Sequence, residues 1–326
     1  MGIDLDEDFS TILRSAETFC QRSNMELVIV SVQPQKNLKI KPKAYETMDL
    51  ETIINIYPQE ISKKLENIAT NLSQDLSISY HILSGSVESE IFSVSQSIGA
   101  KWIMIGFCKE HARSSVLPSL FRPTNFMAHS QTPMILVPDG HEIIFSDSNK
   151  IMVADGLRNS TSAIEIGIQL GMELKNSQFL HTHIEPEQNH EAIVHCVQDE
   201  AWNNNFCPDD LDISCKDAKS LTTIEHSHIE ELMKDRFRAC LRDKNDHLSY
   251  AVRSRFGNIN SELHHLAKEE NPDFLVFGGR FKTIWNALHP SVVPYNEQLK
   301  HQRPIVLAPQ CEKLSFSQNL PKVSKY

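Results

Sequence analysis

Potential metal ligands are concentrated in one stretch of the chain. Residues 181–228 contain six histidines and three cysteines, namely His181, His183, His190, His195, Cys196, Cys207, Cys215, His226 and His228. Imidazole and thiolate groups bind zinc, but zinc sites place these ligands at short, characteristic spacings. No such spacing occurs here, although His181 and His183 would share one face of a strand. We therefore expect no bound metal, and we expect these side chains to be solvated or satisfied in the core.

Catalytic patterns of common hydrolases are missing from the sequence. It contains neither a Gly-x-Ser-x-Gly elbow nor a His-Glu-x-x-His motif. His264 and His265 are adjacent on a predicted helix, where neighbouring side chains point apart. Ser86 and Ser115 have no evident base partner in the sequence. We therefore expect a protein that is not an enzyme.

The charge and composition of the chain exclude several classes of partner. Its 326 residues carry 32 Lys and Arg against 42 Asp and Glu, a net charge of −10. Nucleic acid and anionic membranes attract basic surfaces, so we expect neither as a partner.

No apolar stretch approaches the roughly 20 residues that span a bilayer, and the acidic N-terminus does not resemble a signal peptide. Seven cysteines without a Cys-x-x-Cys pair do not indicate a disulfide framework. We expect a cytoplasmic protein.

Hydrophobic periodicity predicts strands that alternate with helices along the whole chain. The predicted strands are 26–32, 77–83, 102–105, 134–137, 150–154, 178–184, 248–252, 274–277 and 305–308. The predicted helices are 9–22, 61–72, 86–98, 160–174, 224–241 and 259–269. Such alternation indicates parallel strands joined by crossovers, with helices on both faces of the sheet.

This order of elements occurs twice, with glycines and prolines at matching positions. Gly85 precedes Gly106 by 21 residues, as Gly257 precedes Gly278 by 21 residues. Each half also ends in a short apolar run between two prolines, at 133–138 and 304–309. The repeated unit has the size of a compact domain. We predict an α/β fold of two tandem three-layer α/β/α domains, each with an open, mostly parallel five-stranded sheet.

The predicted first domain covers residues 1–140 and has a truncated first strand, because only three residues precede Asp4. The predicted second domain covers 149–311 and is followed by a tail at 312–326. Residues 139–149 would form the linker. A longer interval between elements in the second half indicates an insertion at 187–222.

Motifs at the strand ends resemble those of the universal stress protein family (UspA-like). An aspartate follows the first strand of each half, a proline the second strand and a glycine the fourth: Asp4, Pro34, Gly106 and Asp155, Pro186, Gly278. The resemblance covers both halves. It implies that the two final strands pair, so that the halves form a pseudo-dimer resembling the family's dimer. It also implies a candidate adenine-nucleotide site at the carboxyl ends of the strands.

The glycine loops of the family's nucleotide-binding branch are degenerate in this chain. That branch has Gly, two residues, Gly, nine residues, then Gly-Ser or Gly-Thr, because backbone amides must approach phosphates closely. Counted from Gly278, these later positions hold Phe281, Ser291 and Val292. Counted from Gly106, the second glycine is replaced by Lys109. We therefore expect no standard ATP site and no cofactor, although ATP or AMP is possible in the second domain.

The resemblance nevertheless assigns candidate site residues. In the second half they are Asp155, Gly156, Gly278, Gly279, Arg280 and Ser291; in the first half they are Asp4 and Gly106, with weaker support. The structural alternative is that Asp155 caps the following helix and that Gly278 and Gly279 only turn the chain.

The predicted function is that of a non-catalytic tandem universal stress protein, a cytoplasmic stress-response module that binds or signals through protein partners. The alternative is an adenine-nucleotide sensor, for ATP or AMP, with slow ATPase activity in the second domain. A third possibility is a metal-binding module built on residues 187–228.

Overall fold

The structure, a computed structural model, describes residues 1–3, 9–33, 50–72, 75–107, 130–138, 140–154, 161–185, 218–241, 248–278 and 303–309. The strands in these ranges are β1 (Gly2–Ile3), β2 (Leu27–Gln33), β3 (Ile78–Ser84), β4 (Ile103–Phe107), β5 (Met134–Pro138), β6 (Asn149–Ala154), β7 (Ser177–Glu185), β8 (Ser249–Phe256), β9 (Phe274–Phe277) and β10 (Ile305–Leu307). The helices are α1 (Ser10–Ser23), α2 (Leu50–Asn71), α3 (Val87–Ser97), α4 (Ser162–Leu174), α5 (Ala218–Leu241) and α6 (Ile259–Glu270).

These strands form one sheet in the order β3-β2-β1-β4-β5-β10-β9-β6-β7-β8. The first half, β1–β5, and the second half, β6–β10, each contribute five strands that are parallel to one another. The two halves meet where β5 and β10 pair in antiparallel fashion, with Val306 opposite Ile135. The predicted α/β fold, with a five-stranded parallel sheet in each half, is therefore confirmed.

Helices cover both faces of this sheet because the strands are apolar on both sides. In β4, Met104 faces one hydrophobic cluster, whereas Ile103 and Ile105 face the other. The first cluster includes residues of α1, α2, α4 and α5, and the second includes residues of α3 and α6. A strand that is buried on both faces consists of consecutive apolar residues, and this pattern is why β4 could be predicted from the sequence.

Strand β1 is short, and strand β8 is longer than predicted. In the described residues β1 covers Gly2 and Ile3, and the truncation of the first strand stays a prediction. Strand β8 extends to Phe256, four residues beyond the predicted end at 252. The additional residues include Arg253 and Arg255, whose side chains form ion pairs with Glu270 and Glu269 of α6. A polar segment at the sheet edge lacks the apolar signal on which the prediction relied.

The connection between the halves is packed rather than free. Ile143 and Phe145 lie within the predicted linker 139–149, and both are buried in the first cluster. The predicted domain limits 1–140 and 149–311 stay predictions. The tail 312–326 and most of the insertion 187–222 lie outside the described residues. No helix in the described ranges has the length and apolarity needed to cross a bilayer.

Candidate functional site

Two topological switch points are the general candidates for ligand binding in this sheet. Strand β1 lies between β2 and β4, and β6 lies between β7 and β9. On either side of such a central strand the chain connections diverge, which leaves a crevice at the carboxyl ends of the strands. Gly106 lies near the end of β4, and Gly278 directly follows β9, so both lie near the carboxyl end of a strand that adjoins a switch point.

Most of the predicted nucleotide-site residues lie outside the described part of the chain. These are Asp4, Asp155, Gly156, Gly279, Arg280 and Ser291. Gly106 and Gly278 are described, and their surroundings can be compared. The assignment of the other six stays a prediction.

The strand register distinguishes the aspartates of the two halves. Gly2 pairs with Val30, which lies four residues before Pro34. Ala154 pairs with Thr182, which lies four residues before Pro186. Gly2 is therefore the counterpart of Ala154, and the residue that corresponds to Asp155 is Ile3 rather than Asp4.

Gly278 packs against the start of helix α4. A Cβ atom added to it would lie 2.7 Å from the Cβ of Ala163 and 3.1 Å from the backbone nitrogen of Ala163. No other residue fits there without displacement of the helix, so helix packing alone explains the glycine. At Gly106 the corresponding nearest atom is Cδ1 of Ile12, at 3.6 Å, which is ordinary contact. Steric need for glycine thus exists at the second switch point and is absent at Gly106.

The start of helix α4 also carries a negative charge of its own. Glu165 lies in its first turn, and the hydroxyl of Thr161 donates a hydrogen bond to Oε1 of Glu165 at 2.7 Å. A carboxylate is favourable near a helix N-terminus, because it interacts with the positive end of the helix dipole. The same charge repels a phosphate that would otherwise use this end of the helix.

Two buried histidines distinguish strand β7 of the second half from strand β2 of the first, in which Ile29 and Ser31 hold the corresponding positions. His181 is 0% exposed, His183 is 5% exposed and Ser254 is 7% exposed. His181 lies opposite Val252 and His183 lies opposite Ser254 in adjacent parallel strands. Counted from the prolines that follow each strand, the residue of β2 that corresponds to His181 is Ile29, also 0% exposed. The alternation in Phe179–His183 indicates this shared face, but the sequence did not reveal Ser254 as a neighbour.

The clustered histidines do not converge on a metal-binding arrangement in the described residues. His228, on α5, is exposed, whereas His181 and His183 are buried. The remaining candidates, His190, His195, Cys196, Cys207 and Cys215, lie outside the described ranges, and nothing is described of the side chain of His226. Within those ranges, no group of three or more His, Cys, Asp or Glu side chains is positioned to hold a metal ion.

No protein-family model matches this chain, and no curated protein matches it by sequence. Solved structures do match. A universal stress protein from Archaeoglobus fulgidus DSM 4304 is 14% identical, with a TM-score of 0.53, over 95% of this chain and 94% of that chain. A functionally unknown protein from Pseudomonas aeruginosa PAO1 is 12% identical, with a TM-score of 0.48, over 95% of this chain and 91% of that chain.

A universal stress protein in complex with cAMP covers 50% of this chain and 97% of its own, at 16% identity and a TM-score of 0.30. The likeness to the Archaeoglobus structure extends over both halves of this chain. At this level of sequence identity a structural match indicates the fold and does not indicate the activity. The chain therefore has the α/β fold of a universal stress protein.

Proposed function

We propose that this chain is a non-catalytic tandem universal stress protein, a cytoplasmic stress-response module that acts by binding or signalling and lacks the standard ATP site. In this proposal the two halves form a pseudo-dimer through β5 and β10, and the module works through protein partners. The antiparallel pairing of these two final strands supports the pseudo-dimer.

The observation that carries the proposal is the contact between Gly278 and Ala163. In a nucleotide loop, glycine is needed because phosphate approaches the backbone. Here the space that a side chain would take is already occupied by helix α4, with Ala163 Cβ 2.7 Å from the ideal Cβ position. The glycine therefore needs no nucleotide to account for it. Glu165 at the start of the same helix adds repulsion toward a phosphate.

The second candidate function is an adenine-nucleotide sensor, for ATP or AMP, with slow ATPase activity in the second half. The observation that favours the second half over the first is its pair of buried histidines, His181 and His183, with Ser254 opposite His183. Burial of polar groups is unfavourable unless they have partners, so such a pair is more often associated with function than an apolar pair. In the first half, Ile29 occupies the position of His181.

The deciding experiment is nucleotide binding by the full-length chain. The protein is purified gently and denatured, and released small molecules are identified by mass spectrometry. ATP and AMP are then titrated by calorimetry, and phosphate release from ATP is compared with a protein-free blank. Asp155→Ala is the test variant, and Asp4→Ala, which removes the aspartate that lies one residue past the corresponding position of the first half, is the control.

We expect no released nucleotide, no heat corresponding to a Kd below about 1 mM, and phosphate release equal to the blank. Stoichiometric nucleotide, or binding that disappears in Asp155→Ala and persists in Asp4→Ala, overturns the proposal. That outcome would make the second half a nucleotide sensor.

A further inference from the structure

The segment between the two halves has one buried face and one exposed face. We call residues 140–148 the strap. Within it, Ile143 is 4% exposed and Phe145 is 8% exposed, whereas Ile144 between them is 80% exposed. This alternation is that of an extended chain lying on an apolar surface. The strap thus contributes two large side chains to the same hydrophobic cluster that contains α1 and α4.

Helix α1 of the first half holds the backbone of the strap at several points. The backbone N–H of Ile143 donates to Oγ of Ser15 at 2.9 Å, and that hydroxyl, fully buried, donates to the carbonyl of Thr11 at 2.8 Å. The guanidinium of Arg22 donates to the carbonyls of Phe145 and Ser146, both at 2.9 Å. These bonds fix the register of the strap along the helix.

Phe145 contacts aromatic residues of both halves. Its ring centroid lies 6.0 Å from that of Phe19 in α1 and 6.0 Å from that of Phe274 in β9. Both distances fall within the range of favourable aromatic pairs. The Arg22 guanidinium carbon lies 5.7 Å from the centroid of the Phe145 ring, so the same arginine also packs on that ring. Phe145 therefore adds a contact between the two halves within the first cluster, to which both halves contribute.

We propose that the strap makes the two halves a single cooperative folding unit, so that neither half unfolds while the other remains native. Outside the strap, the described halves meet through three residue pairs of β5 and β10, through helix α1 packed against α4, and through hydrophobic clusters to which both halves contribute. Interfaces between domains of one chain usually permit independent behaviour unless they are large and apolar. Phe145 adds a large aromatic side chain to the apolar core that the two halves share. A ligand or protein partner that stabilises either half then stabilises both, whether or not that ligand is a nucleotide.

The test is native-state hydrogen exchange of the full chain over increasing denaturant, read by mass spectrometry of peptides from each half. Peptides covering β2 report on the first half, and peptides covering β7 report on the second. In the wild-type protein we expect the slowest amides of both strands to exchange at the same denaturant midpoint and with the same denaturant dependence. In Phe145→Ala we expect the two midpoints to separate.

Matched variants distinguish coupling from a general loss of stability. Ile144→Ala changes the exposed neighbour in the same strap, and it should leave both midpoints together and unshifted. Phe145→Leu keeps much of the apolar volume and replaces Phe145→Ala as the test variant if the latter does not fold. It should give a smaller separation of the two denaturant midpoints. Wild-type halves that exchange at different midpoints overturn the proposal. Phe145→Ala or Phe145→Leu midpoints that fall together by the same amount also overturn it.

Discussion

Replacement of Gly278 by alanine tests whether helix packing requires this glycine. The ideal Cβ would lie 2.7 Å from Cβ of Ala163 and 3.3 Å from its Cα. Carbon atoms in contact normally lie roughly 3.5–4.0 Å apart, so about 0.8 Å of separation is missing. Because Ala163 is itself a fully buried residue of α4, the strain cannot be relieved by rotation of a flexible side chain.

The expected loss of stability follows from two opposing effects. Overpacking of a close-packed region typically costs about 1–3 kcal/mol. Alanine also restricts the unfolded chain more than glycine does, which contributes about 0.4–1 kcal/mol in favour of folding. We therefore expect Gly278→Ala to lower the free energy of unfolding by about 1–2 kcal/mol. Gly106→Ala, whose Cβ would meet only Ile12 at 3.6 Å, should be neutral or slightly stabilising.

Equilibrium denaturation of both glycine variants provides the measurement, and a double variant identifies the contact. Ala163→Gly removes the Cβ that Gly278→Ala would strike, so the two substitutions together should destabilise less than the sum of their separate effects. A coupling of about 1 kcal/mol is expected for residues in direct contact. Equal stabilities of Gly278→Ala and Gly106→Ala, or strict additivity with Ala163→Gly, would refute the packing argument and leave the glycine without a structural reason.

Three further predictions concern charge. Burial raises the pKa of the Cys20 thiol to about 11, so the folded chain keeps a proton that the unfolded chain loses from about pH 9 upward. The resulting stabilisation, about 2–3 kcal/mol, is complete below about pH 9 and is lost as the pH rises toward about 11. The free energy of unfolding of Cys20→Ala, measured in denaturation curves at alkaline pH, should therefore decline less than that of the wild-type protein. An identical decline would contradict the raised pKa of Cys20. Glu270→Gln should lower the free energy of unfolding by about 0.5–1 kcal/mol in a salt-sensitive way, because the carboxylate lies 3.2 Å from Lys150 Nζ and 3.4 Å from Arg253 Nε. Arg14→Ala removes an exposed ion pair with Glu142 at 3.2 Å and should change stability by about 0.5 kcal/mol or less in the same assay; a larger loss would mean that this pair helps to hold the strap.

Much of the fold was accessible from the sequence because its signals are local. Apolar runs such as Ile103–Ile105 and the helical spacing in Ser10–Ser23 depend on residues close in the chain, and the repeated glycines and prolines mark where elements end. Strand β8 was predicted too short because the arginines in it pair with α6, a contact between separate elements.

The candidate site was less accessible, because a residue type does not reveal its neighbours. The sequence assigned Gly278 to a nucleotide loop and Asp4 to the position of Asp155. The structure adds a packing reason for Gly278 in Ala163, and the strand register places Ile3 at the position of Asp155. The first finding depends on a distance between segments more than 100 residues apart in the chain, and the second depends on the exact pairing of residues between strands.

The sequence by itself determined the alternation of strands and helices, the repeated order of these elements and the acidic character of this protein, since each of these depends on residues close in the chain or on composition. Only the tertiary structure decided that Phe145 lies between Phe19 and Phe274, that Gly278 lies against α4, and that His181 and His183 are buried beside Val252 and Ser254. The physical reason is that burial and close approach belong to pairs of distant segments, and the folded chain alone brings those segments together.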